Sequence, residues 1–190
     1  MLSTRLSRYS GILLCILMTF VCVSQEAPAN WKIESPYPNN PLKQALLSGN
    51  ASHSGLNTKS ELQIECRADA DGPRMNLVFT PAGVKFDADP FEGPGGLGER
   101  RKLRVSLGRN EWPHHFSGYY VESNSFVFSF ALLPAEARQI TSAASEQQEL
   151  TITVDPAKEG APLQFHFTLS APSDPVRKMV APCLGTPHKS

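Results

Sequence analysis

Carboxylates, histidines and cysteines are the side chains in this chain with chemistry to offer, and their spacing limits what that chemistry is. Asp87, Asp89 and Glu92 crowd into one short stretch. Paired carboxylates are what glycoside hydrolysis requires, one as proton donor and one as base or nucleophile. Asp87 and Asp89 share a face of an extended chain, yet no third ligand follows at useful spacing, so no metal is expected there. His114 and His115 are adjacent, and on a strand they point to opposite faces, where one ion rarely takes both. They read as surface histidines or as part of a binding edge, and His166 as a solvated one. The sequence contains no G-x-S-x-G, H-E-x-x-H, G-x-x-x-x-G-K-[ST] or C-x-x-C motif, each of which would announce a specific site. Gly95-Gly96-Leu97-Gly98 lacks the strand and helix that a dinucleotide fingerprint needs. The expectation is a non-enzymatic protein without cofactor or metal. The alternative is a secreted hydrolase or carbohydrate-active enzyme built on Asp87, Asp89 and Glu92.

Recognition chemistry is denser further on. In Trp112-Pro113-His114-His115-Phe116-Ser117-Gly118-Tyr119-Tyr120, large aromatic and imidazole side chains offer contact area at low entropic cost. Trp112, His114, His115, Ser117, Tyr119 and Tyr120 are the binding residues expected there. The competing reading is that half of the segment is core.

The first residues give the compartment. Arg5 and Arg8 precede the apolar run Ile12–Val21, and small residues follow to Ser24. That is the layout of a secretory signal peptide over 1–24, too short and wrongly flanked for a membrane span. Neither Cys15 nor Cys22 follows a small residue, so a lipid anchor is not expected. The product is read as periplasmic or secreted, not membrane-embedded, with another envelope or secreted protein as partner. Of the four cysteines, Cys66 and Cys183 lie beyond the leader, and in an oxidising compartment they are expected to pair. The 18 basic and 18 acidic residues balance. The one basic cluster, at 99–104, reads as a solvated loop entering a strand, so no nucleic acid is expected.

These side chains must be positioned by strands. Residues 25–60 are rich in proline, serine and asparagine and read as a partly disordered lead-in, with a helical turn at 42–47 and loop over 48–60. Strict alternation then begins at Leu62, Ile64 and Cys66, and recurs at 102–107 and 163–169, while 74–79 reads as the second strand of a hairpin and 150–154 as a further strand. Val84-Lys85-Phe86 reads as a short strand, 87–99 as a loop and 108–113 as a turn. Gly118 to Phe130 reads as an aromatic strand run bent at 123–125. Leu133–Ile140 reads as a helix with proline in its first turn, and Ser173-Asp174-Pro175 opens a terminal helix ending at Cys183. The domain expected over 61–184, ahead of a tail at 185–190, is mainly β. It is an antiparallel β-sandwich or open barrel with one mid-chain helix, a C-terminal helix and one disulfide.

The pattern Leu62-x-Ile64-x-Cys66, the phenylalanine strand and helix from Phe126 to Ile140, and Phe165–Leu169 leading to Cys183 resemble periplasmic accessory proteins of type VI secretion. The resemblance implies a non-catalytic, protein-binding accessory. Where that family has Trp-x-x-Ser, this chain has Trp112-Pro113-His114-His115. Ser117-Gly118-Tyr119-Tyr120 is similar to the S-G-x-Y loop of periplasmic lysozyme inhibitors. That likeness implies an inhibitor or immunity role, with Ser117 and Tyr120 entering a lysozyme cleft and meeting its carboxylates.

Overall fold

The computed structural model describes residues 31–35, 42–66, 72–93, 102–121, 124–142, 148–169 and 174–184. The expected leader, the start of the lead-in, the glycine run 95–98 and the tail 185–190 lie outside the described residues.

Ten described strands form one antiparallel sheet: β1 (Lys32–Glu34), β2 (Lys43–His53), β3 (Leu56–Cys66), β4 (Arg74–Phe79), β5 (Lys102–Leu107), β6 (Asn110–His115), β7 (Ser117–Val121), β8 (Ser125–Ala131), β9 (Gln148–Val154) and β10 (Leu163–Leu169). Their order is β6-β5-β9-β10-β2-β3-β4-β8-β7, with β1 paired to β2. The first and last strands of that order, β6 and β7, are consecutive in the chain and separated only by Phe116. One residue spans a few ångströms, so the sheet has to curl until its ends meet, and it forms an open half-barrel. The inner face follows the predicted parity. Leu62, Ile64, Met75, Leu77, Phe79, Phe126, Phe128, Phe130, Phe165 and Phe167 are all buried there.

Three helices close the structure. α1 (Pro81–Val84) is one turn, α2 (Pro134–Thr141) follows β8, and α3 (Asp174–Val180) runs into a 3-10 turn at Ala181–Leu184. α3 buries Val176, Met179 and Val180 against β2 and β3. There the Cys66–Cys183 disulfide forms as expected, with Cα atoms 5.7 Å apart.

Four readings of the sequence need correction. The stretch read as helical turn and loop at 42–60 is β2 and the first half of β3, so the sheet begins well before residue 61. The inward side chains of β2 are Ala45, Leu47, Gly49 and Ala51, mostly small, while Leu46 faces outward, which blurs the alternation. Gly49 is required because the Phe167 ring and the His166 carbonyl occupy the place of a Cβ. The strand expected at 84–86 is instead the end of α1, stopped by Lys85 in the left-handed region at φ 54°. The turn expected at 108–113 is confined to Gly108-Arg109, and β6 follows. Pro113 fits within β6 because β6 is an edge strand, where a missing N–H leaves no gap in the ladder. Finally, 118–130 is not one bent strand but the hairpin β7–β8, with Tyr120 opposite Phe126 and Asn124 left-handed at φ 59°.

Candidate functional site

β7 carries the site because it is short, terminal in the sheet and built on aromatic rings. Its register against β8 pairs Ser117 with Ser129, Gly118 with Phe128, Tyr119 with Val127, Tyr120 with Phe126 and Val121 with Ser125. Successive side chains alternate, so Gly118 and Tyr120 belong to the inner face and Ser117, Tyr119 and Val121 to the outer one. Tyr119, Tyr120 and Val121 are 41%, 39% and 38% exposed. Ser117 and Tyr120, the pair singled out by the inhibitor likeness, thus point to opposite faces.

The strand is seated by a strap that sequence reasoning read only as loop. Residues 86–93 cross under β7, with a 3-10 turn at Asp89–Phe91 opened by Pro90. Phe91 is buried against Phe86, Phe116 and Phe128, with ring centroids 5.4, 6.0 and 5.9 Å away. The Gly93 N–H donates to the Gly118 carbonyl at 2.7 Å. Gly118 has no room for a Cβ, since the Phe91 carbonyl and the Phe126 ring fill the space. The Tyr120 ring meets Phe126 edge-on at 4.9 Å, and its hydroxyl donates to Asp89 Oδ1 at 2.6 Å. Burial, that hydrogen bond and the charges of Asp89, Glu92 and Asp87 push the Tyr120 hydroxyl up to about 12. Of the three carboxylates of the hydrolase reading, Asp89 thus accepts the Tyr120 hydroxyl directly, while Glu92 and Asp87 act on it by charge. Asp87 also lines a cavity of about 270 Å³ with His53, Lys85 and Lys158. The Tyr119 hydroxyl is raised as well, by burial and by Glu65, with Arg74 opposing.

β6 divides the other predicted residues between its two faces. Trp112 is half-buried against the core, opposite Val105. His115 is exposed on the outer face, opposite Lys102. His114 is a correction to the expected surface pair: it is 8% exposed and unavailable for contact. Its ring lies 5.1 Å from Phe130, and Nε2 stands 3.2 Å from Glu136 Oε2 without forming an aligned hydrogen bond. The same Glu136 oxygen accepts the Leu133 N–H at 2.9 Å, tying off the start of α2, as the acidic half of a capping box does. No local pattern could have revealed this, because Glu136 reaches His114 only once α2 folds over the seam between β6 and β8.

Burial lowers the His114 imidazole below the 6.5 of a free one, against the opposing pull of Glu136 and the Ala131 carbonyl. A histidine lowered in the folded state contributes stability that is present above its unfolded value and lost as pH falls through the folded one. We expect thermal stability to drop as pH falls below about 6.5, and His114→Gln to flatten that part of the profile. Melting curves of both proteins across this range check it, and parallel profiles would refute it.

A depression of about 700 Å³ lies elsewhere, between the β5–β6 turn and the end of α2, and is lined by polar side chains including Ser106, Arg109, Asn110 and Gln139. Among the described residues no three His, Cys, Asp or Glu side chains are grouped to hold a metal ion. Nor is any described helix long and apolar enough to cross a membrane. No family model matches the chain, and neither a curated protein nor a solved structure does.

Proposed function

We propose that the protein is a non-catalytic binding module, periplasmic or secreted, that engages another protein of the envelope or its surroundings through β7. One observation carries this reading. Three consecutive large side chains, Tyr119, Tyr120 and Val121, stand about two-fifths exposed on the terminal strand of the sheet. Exposed aromatic residues on a rigid element are the usual anchors of protein interfaces. The disulfide suits an oxidising compartment, and the leader layout at the start of the sequence suits export. Within this reading, secretion accessory and immunity or inhibitor roles are both served by such a surface.

The test is a photo-crosslinking amino acid placed at Val121, with the same group at Thr168 on β10, an exposed outer-face position, as control. A discrete protein adduct is expected from Val121 and not from Thr168. Tyr119→Ala should then weaken the isolated complex by about 1–3 kcal/mol while the protein stays folded. Equal labelling from both positions, or none from Val121, would remove the reading.

A further inference from the structure

The partner's chemistry can be taken one step further, on the footing that β7 is the docking strand. We propose that the free edge of β7 receives an extended, lysine- or arginine-bearing segment of the partner.

The edge supplies the first argument. The Gly118 carbonyl points away from β8, because it accepts the Gly93 N–H. Backbone groups two residues apart on a strand face the same side, so the Tyr120 N–H and carbonyl face that edge too. Among the described residues nothing pairs with them there, whereas Gly118 is already covered by Glu92 and Gly93. An incoming extended segment therefore meets one open pair of backbone groups beside the exposed Tyr120 ring.

Charge supplies the second. The described ionisable groups that bear on the Tyr120 hydroxyl are Asp89, Glu92 and Asp87, all acidic. The described cation that bears on the neighbouring Tyr119, Arg74, acts on a side chain of the opposite face. A second copy of this chain would bring three more carboxylates against these three, so self-pairing is the disfavoured occupant. A cationic side chain meets opposite charge and an aromatic ring at once, and both attract it.

Two short synthetic peptides serve as probes, one alternating lysine and valine, the other glutamate and valine. Binding is followed by amide NMR of the labelled protein. The lysine peptide is expected to move the resonances of Tyr119–Val121 and Asp89–Gly93, and the glutamate peptide to leave them in place. Glu92→Gln and Asp89→Asn should each weaken the lysine peptide about threefold to fivefold, the worth of an exposed ion pair. Raising the salt from about 50 to about 300 mM should do the same. Glu92→Gln touches none of the side-chain contacts of the strap and keeps the test sound if Asp89→Asn loosens Tyr120. Equal binding of the two peptides, or lysine-peptide binding that neither variant alters, would overturn the inference. A partner crosslinked at Val121 in a protein indifferent to the lysine peptide would remove the cationic occupant and leave the docking strand standing. Failure to crosslink at Val121 would remove the docking strand itself.

Discussion

Replacing Cys66 and Cys183 together by alanine should cost roughly 4–5 kcal/mol of unfolding free energy, the chain-entropy value for a loop of this size. The bridge spans 117 positions of sequence and fastens the 3-10 turn after α3 to the last residue of β3. Both sulfurs are buried, so the loss includes packing as well as chain entropy. The effect should be uneven. Once the bridge is gone α3 is held by its buried Val176, Met179 and Val180 and by Arg138 of α2 donating to the Leu184 carbonyl, whereas the central strands keep their ladders. Hydrogen exchange in the double variant should show amides of 174–184 losing protection ahead of those in β3 and β10. A variant whose chemical denaturation midpoint matches the parent would show that the bridge contributes nothing to the fold.

Phe128→Ala should be the most damaging single truncation, at about 3–5 kcal/mol. The ring sits at the hub of the aromatic core. It stacks on Phe79 at 5.8 Å and meets Phe116 at 4.9 Å, Phe126 at 5.0 Å, Phe91 at 5.9 Å and Phe165 at 6.1 Å. Five rings lose a neighbour at once, and rigid aromatic walls collapse poorly into the space. Phe91 and Phe116 belong to the strap and to the β6–β7 corner, so the damage should reach β7. Denaturation curves measure the stability, and tyrosine fluorescence at Tyr119 and Tyr120 reports the strand. A loss under about 1 kcal/mol would mean that Phe128 is not the hub the ring geometry describes.

What could be read from the sequence was what local pattern encodes. β3 from Leu62 onward and β10 alternate large apolar and polar residues and fold with the predicted face inward, and β4 and β9 form as the strands expected at 74–79 and 150–154. Pro134 at the head of an apolar-periodic segment marked α2 to within a residue. Cys66 and Cys183 were the two cysteines beyond the expected leader, and they pair. β2 was missed because its inward residues are small, and their fit is decided by Phe167, far away in sequence. β6 was missed because proline and glycine nearby signal a turn wherever they fall, while an edge strand tolerates them. The same division holds at the site. Tyr119 and Tyr120 were visible as aromatic residues on extended chain. The burial of His114 was not, because Glu136 and Phe130, which enclose it, come from other elements. Asp87, Asp89 and Glu92 were seen as a group, but the Tyr120 hydroxyl they surround is brought to them only by the strap crossing under β7.

β10 has a consequence for how the molecule is made. It is the last described strand and lies between β9 and β2 in the sheet. Without it the described ladders fall into two separate pieces: β5, β6 and β9 in one, and β1 to β4 with β7 and β8 in the other. Neither piece hydrogen-bonds to the other through any other described strand pair. A chain delivered N-terminus first therefore cannot zip its sheet as it emerges. It has to wait for residues 163–169, pairing across more than a hundred positions of sequence to β2, and contacts of such long range make folding slow. Until that moment the apolar faces of both pieces remain open to water, to chaperones and to proteases. Completion of the described sheet is thus deferred until residues 163–169 are available.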